Sequence, residues 1–164
     1  MSLRFIAPAP LSASDVLDQF ECGEIVLDEW LKRRAMANQA SGARRTFVVV
    51  DQDHHVCAYY ALAAGAMSRP IATRTAGRNM PNPVPVIVLA RLAADQRAQG
   101  MKLGASLLQD AVNRTVAVSE DAGVRALLVH ALNDRAKQFY AHYGFQSSPA
   151  HPMILMLRLA ANRA

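Results

Sequence analysis

Cysteine is scarce: Cys22 and Cys57 are the only two in 164 residues. That excludes a disulfide framework and a cysteine-built metal cluster. Five histidines are scattered, at His54, His55, His130, His142 and His151. None stands at zinc-ligand spacing, so no metal is expected. No apolar run approaches membrane-spanning length, and "MSLRFIAPAP" lacks the long apolar segment of a secretory leader. No membrane association is expected, and the reading is a cytoplasmic, reduced protein. Repeats, low-complexity tracts and linkers are missing too, which predicts one domain over residues 1–164. Acid is the thinner charge, 13 Asp and Glu against 18 Lys and Arg, for a net +5. That balance favours an anionic partner.

What is present is hydrophobic and ordered: 52% of residues are apolar, enough for a sizeable core. "LRFIAP" reads as a short first strand, and "LSASDVLDQF" as a short helix capped by Ser12 or Ser14. "GEIVLDEWLKRRAMANQA" predicts a longer helix with Leu27, Trp30 and Leu31 on one stripe. "RRTFVVVD", the turn "QDHH" and "VCAYYALAAGAM" predict an antiparallel hairpin. "SRPIATRTAGRNMPNPVP" is a long loop carrying Arg69, Arg74 and Arg78. "VIVLARLAAD" is apolar enough for a central strand, and Lys102 to Ser119 repeats at helical spacing. A strand in "GVRALLVHAL", a helix from the N-cap Asn133 to the C-cap Gly144, and a last strand in "PMILMLRL" complete the order. One mixed sheet with helices on both faces is the expected α/β outcome.

Two stretches carry chemistry. "DQRAQGMKLGASLL" places Gly100 and Gly104 where a strand feeds a helix. One reading is a tight turn. The other is an anion site, because a helix N-terminus leaves N–H groups free to bind phosphate. In "LNDRAKQFYAHYGF", Ala136, Phe139, Tyr140 and Tyr143 fall on one helical face, with Tyr140 at its edge. Such a face serves a core, or lets a phenol reach a cleft while its ring stays packed.

Together, the strand, the turn Arg97-x-x-Gly100-x-Lys102, a second strand and "N-D-x-A-x-x-F-Y-x-x-x-G-F" resemble the GNAT N-acetyltransferases, over about Thr46 to Leu159. Lys102 departs from the glycine or alanine of the family's R/Q-x-x-G-x-G/A pattern. "FECGEIVLDEWLKRRAMANQASGARRTFVV", "RNMPNPVPVIVLARLAAD" and "FYAHYGFQSSPAHPMILML" further resemble the tRNA-acetylating toxins of bacterial type II toxin–antitoxin modules. The resemblance implies a GNAT fold with one mixed, mostly antiparallel sheet. It implies acetyl-CoA as co-substrate and acetylation of the α-amino group of aminoacyl-tRNA, which blocks translation. It implies a ribbon-helix-helix antitoxin, operator DNA bound through that complex, and a homodimer.

Site residues follow from the same resemblance. Backbone around Leu89, Ala90, Arg91 and Leu92 would hold the acetyl oxygen and pantetheine arm. Arg97, Ala98, Gln99, Gly100, Met101, Lys102, Leu103 and Gly104 would form the pyrophosphate turn. Asn133 and Ala136 would meet the cofactor, and Tyr140 would be the general acid. The residues agree with such an acceptor. A free α-amine has a pKa of about 7.7–8.0, against about 10.4 for lysine, and an adjacent ester lowers it further. It therefore needs no strong base, and the strand from Val84 carries no carboxylate until Asp95.

Of the basic residues, Lys32 and Arg33 read as a solvated face. Arg34 continues the stripe of Leu27, Trp30 and Leu31, Arg78 lies in the proline-rich loop, and Arg91 lies on the central strand. These three are the candidate contacts to a tRNA acceptor end. Two other readings compete: an N-acetyltransferase for a small amine or a protein N-terminus, and a non-catalytic acyl-CoA-binding module.

Overall fold

The computed structural model describes residues 5–159. Its strands are β1 (Ala9–Pro10), β2 (Arg45–Val50), β3 (Val56–Met67), β4 (Val84–Ala94), β5 (Ala126–His130), β6 (Gln146–Ser147) and β7 (Ile154–Arg158). Its helices are α1 (Ile25–Arg33), α2 (Ala35–Ser41), α3 (Arg74–Gly77), α4 (Leu103–Ala122) and α5 (Asp134–His142). The strands form one mixed sheet in the order β1-β2-β3-β4-β5-β7-β6. The β4–β5 pairing is parallel, while β1–β2, β2–β3, β5–β7 and β6–β7 are antiparallel.

The chain divides into two compact units. The first runs to Ala63 and resumes from Arg91 to Ala111; the second comprises Ala64–Ala90 and the chain from Val112. β3, β4 and α4 each pass from one unit into the other.

In the first unit, the β2–β3 hairpin forms as its β-branched runs predict. Its turn is set by Asp51, whose carboxylate accepts the N–H groups of Asp53 and His55 at 2.9 and 3.0 Å. Leu31, Phe20, Trp30, Val48 and Tyr59 are buried in one cluster. Phe20 meets Tyr59 edge-on at 5.5 Å, and Trp30 stacks on Tyr59 at 6.0 Å.

Three expectations fail in this unit. Phe5–Pro8 are irregular and the first strand is Ala9–Pro10; Leu3 and Arg4 of the expected strand lie outside the described residues. Residues 11–20 form turns instead of a helix. Asp15 accepts the Ser12 N–H at 2.8 Å, and Val16 bridges to His55. Neither Ser12 nor Ser14 caps a helix, because the segment's polar groups close local turns instead. The single helix over 23–40 is broken at Arg34 (φ −123°, ψ −24°), which ends α1 and starts α2. Burial continues from Leu31 to Ala35, and Arg34 is exposed rather than on the apolar stripe.

The second unit packs Met67, Ala76, Val84, Val86, Ala126 and Met156 together. The expected loop from Ser68 holds α3, whose cap Thr73 accepts the Ala76 N–H through its hydroxyl at 3.3 Å. β7 and α5 lie where the sequence places them. β6 escapes sequence reading because two exposed residues show no alternation.

Candidate active site

In the first unit, β4 ends in a locked turn. The Asp95 carboxylate is 2% exposed and accepts three bonds: from Glu21 N–H at 2.9 Å, Arg97 N–H at 2.9 Å and Arg97 Nε at 3.0 Å. Burial alone pushes this carboxyl up. The two backbone donors and the guanidinium outweigh it and hold the group below its ordinary range. The same bond holds the Arg97 guanidinium above its ordinary range. Gln99 Nε2 donates to Cys22 O at 2.8 Å and Ala94 O at 3.0 Å. Gln96 N–H donates to Glu21 O, and Asp95 N–H to Cys57 O, both at 2.8 Å. The side chains of Arg97 and Gln99 are thus committed to fixing the turn. Asp95 was missed as a site-forming residue; its place as the cap of the short 3-10 turn Gln96–Ala98 was the available signal.

Past this clamp the backbone opens. Gly100 and Lys102 are left-handed, at φ +87° and +60°. Among the described residues, the N–H groups of Lys102, Leu103, Gly104 and Ala105 have no partner, and α4 starts here. A Cβ on Gly100 would meet nothing within 4 Å. Four successive free donors at the positive end of a 20-residue helix suit an anion such as a pyrophosphate. Lys102 occupies its left-handed position at a cost of roughly 1 kcal/mol. Its side chain is exposed, as is Met101, while Ala98 is buried.

Arg91 lies with its guanidinium carbon 4.5 Å above the Trp30 ring. Burial lowers its pKa, with a further contribution from Arg44. The Arg34 N–H donates to Trp30 O at 2.9 Å.

In the second unit, the β4–β5 ladder runs from Val86↔Ala126 to Leu89↔Val129. Leu89 is buried. Ala90 and the rest of β4, including Leu92, continue past the last rung. Asn133 Oδ1 accepts the Ala136 N–H at 2.9 Å and starts α5, as expected of its N-cap. On α5 the expected stripe separates. Tyr140 is 6% exposed, Phe139 half-buried, and Tyr143 is 44% exposed at the helix end. The short helix turns its inner face through Tyr140 toward Phe145, at 5.5 Å, rather than through Tyr143. Burial pushes the Tyr140 phenol above its ordinary value, so it keeps its proton well past neutrality. Its hydroxyl has no hydrogen-bond partner among the described residues. His130 and Arg78 are exposed.

Both thiols are buried, and burial raises both pKa values, that of Cys22 to about 12. Neither offers a thiolate nucleophile at neutral pH. No group of three or more His, Cys, Asp or Glu able to hold a metal occurs among the described residues. No helix among them is long and apolar enough to cross a membrane.

The model of the acetyltransferase (GNAT) domain matches residues 43–147. The chain belongs to the GNAT acetyltransferase family. This acetyltransferase is 45% identical over 160 residues to a tRNA-acetylating toxin of Mycobacterium tuberculosis (strain ATCC 25618 / H37Rv), covering 98% of this chain and 96% of that one. It is 26% identical over 155 residues to a probable toxin TacT of Sinorhizobium fredii (strain NBRC 101917 / NGR234), covering 88% of this chain and 86% of the relative. Among solved structures, AtaT complexed with acetyl-methionyl-tRNAfMet is similar with a TM-score of 0.87 at 25% identity, over 94% of this chain and 95% of that one. A tyrosine-to-phenylalanine variant of KacT is similar with a TM-score of 0.87 at 25% identity, over 94% of each chain.

Proposed function

We propose that this N-acetyltransferase is a toxin that moves the acetyl group of acetyl-CoA onto the α-amine of aminoacyl-tRNA and so blocks translation. The observation that carries the reading is its 45% identity to a tRNA-acetylating toxin across nearly the whole of both chains. On this reading, residues 1–164 act as one catalytic domain.

The turn Arg97–Gly104 fits the pyrophosphate of the acetyl donor. It supplies free backbone donors at Lys102 to Ala105 and an open position at Gly100. Asp95 and Gln99 keep those donors aimed. Backbone at Leu89 to Leu92, with Asn133 and Ala136, holds the rest of the donor. Acetyl-CoA supplies an activated thioester. The acceptor amine is substantially neutral at pH 7 and needs no carboxylate base. As the amine nitrogen bonds to the acetyl carbon and the C–S bond breaks, Tyr140 Oη gives its proton to the departing thiolate, and the proton released by the nitrogen restores the phenol; the raised pKa of Tyr140 keeps it protonated between turnovers. Arg34, Arg78 and Arg91 contact the tRNA.

A small ribbon-helix-helix antitoxin restrains the enzyme, and the pair binds operator DNA. Structures of AtaT with the C-terminus of antitoxin AtaR and of the AtaT–AtaR complex on DNA support an antitoxin partner and DNA binding by the pair. The toxin forms a homodimer in a bacterial cytoplasm. The test is incubation with labelled acetyl-CoA and charged tRNA. Label on charged but not uncharged tRNA is expected. Label on small amines alone would replace this reading with that of a small-molecule acetyltransferase.

A further inference from the structure

The stretch "FECGEIVLDEWL" forms a strap between two parts of the first unit. At one end it lies on the turn that follows β4. Glu21 N–H donates to Asp95 Oδ2 at 2.9 Å, and Gln96 N–H returns to Glu21 O at 2.8 Å. Gln99 Nε2 donates to Cys22 O at 2.8 Å. Gly23 follows at φ +100°, and a Cβ there would come within 3.2 Å of Gln96 Nε2. The approach of strap to turn thus leaves room for glycine alone.

At its other end the strap is tied to α1. Cys22 N–H donates to Asp28 Oδ1 at 2.9 Å. Asp28 stands in the first turn of α1 and is buried, whereas the cap residue Glu24 makes no side-chain capping bond. Cys22 is therefore held from both sides, its carbonyl by the turn and its N–H by the helix. A carboxylate that only answered the helix dipole would do so from the surface. This one is buried, at a cost in desolvation, on a bond that reaches out of the helix.

α1 makes two further contacts inward. Leu27 O accepts the Tyr59 hydroxyl at 2.6 Å, and Trp30 lies under the Arg91 guanidinium at 4.5 Å. Arg91 is on β4, which leads back to Asp95. The contacts close a ring through turn, strap, α1, Trp30, Arg91 and β4. The free donors from Lys102 to Ala105 adjoin the turn, and Arg91 lies at the far side of the ring.

We propose that Asp28 is a positioning residue that couples these two places. An acetyl donor seated on the turn fixes α1 through Cys22 and Asp28, and so holds Arg91 on Trp30 for the charged tRNA. The proposal rests on the reading of the turn as the donor site and of Arg91 as a tRNA contact. A ligand that stiffens the turn stiffens what is bonded to it, which lowers the ordering cost for the second ligand.

Trp30 is the only tryptophan in the chain, so its emission reports on α1. CoA is titrated into the wild type, Asp28→Ala and Asp28→Asn, with its affinity measured by calorimetry. Uncharged tRNA is then titrated with and without saturating CoA. In the wild type, CoA is expected to shift Trp30 emission and to tighten tRNA binding roughly five- to twentyfold. In Asp28→Ala, CoA still binds, but the emission shift is lost and the tightening falls to about twofold or less. Asp28→Asn keeps an oxygen for the Cys22 N–H and restores both. If Asp28→Ala does not fold, Gln99→Leu cuts the same path at the turn and is expected to lose the same tightening.

A residue that merely stabilised the fold would weaken tRNA binding equally with and without CoA. An equal tightening in wild type and variant, or no tightening in the wild type, overturns the coupling and leaves the donor and tRNA readings standing. CoA affinity unchanged by Gly100→Asp takes the donor off the turn and refutes that reading, and the coupling with it.

Discussion

The two units of this chain use charge in opposite ways. The first holds nine basic and ten acidic residues; the second holds nine basic and three acidic. In the first unit carboxylates are spent on the fold. Asp95 fixes the turn, Asp51 closes the hairpin and Asp28 accepts the Cys22 N–H at 2.9 Å. In the second, with a net +6, the arginines around α3 face no carboxylate. Charge consumed internally stabilises a scaffold. Charge left unpaired is available to a substrate with many phosphates.

If that division holds, removing the Tyr140 hydroxyl in the second unit should cost activity and not stability. Tyr140→Phe keeps the ring against Phe139 and Phe145 and removes one hydroxyl. Turnover on charged tRNA should fall roughly 10²–10⁴-fold in single-turnover assays, with the urea midpoint unchanged. Because burial raises this phenol's pKa, the wild-type rate should climb as the acceptor amine deprotonates and then stay level to about pH 10. A wild-type rate in the variant would move the acid to His130 or Tyr143.

A carboxylate of the first unit should behave the other way. Asp95→Ala leaves two part-buried N–H groups without their acceptor and should cost about 1–3 kcal/mol by urea denaturation. The sign with pH is fixed by the lowered pKa. The stabilisation from Asp95 is present above its unfolded value of about 3.9 and is lost as pH falls through the lower folded value. The gap between wild type and Asp95→Asn should therefore be flat from pH 8 to pH 5 and narrow only in stronger acid.

Smaller effects sharpen the picture at the turn. Gly100→Asp puts a carboxylate beside the free donors at φ +87° and should weaken acetyl-CoA binding about tenfold or more by calorimetry. Lys102→Gly relieves a left-handed residue. It should stabilise the fold by less than about 1 kcal/mol and leave acetyl-CoA affinity within about twofold. A large loss of affinity would instead mean that the ammonium reaches the phosphates.

Local signals carried most of this architecture. The β2–β3 hairpin, β4, α4 and the Asn133 cap depend on neighbours a few residues away, and all were legible. The break at Arg34 was not, because no glycine or proline marks it. The failed helix over residues 11–20 yields to the Val16–His55 bridge, a pairing that no local pattern encodes. At the candidate site, the turn that leads into α4 and the tyrosine on α5 were readable from spacing and family pattern, though the burial of Tyr140 was not. The Asp95 clamp depends on Glu21, 74 residues away, and Arg125 returns to the Arg78 carbonyl across 47 residues. Such contacts emerge only once the chain is folded.

The central claim, acetyl transfer to the amino acid on a charged tRNA, is tested most directly by where the label ends. Charged tRNA treated with the enzyme and labelled acetyl-CoA is recovered, and its ester is cleaved with mild alkali. The account predicts that the label leaves as N-acetyl amino acid and that the deacylated tRNA carries none. Label retained on the tRNA after the ester is cleaved, or no label on charged tRNA at all, would contradict it.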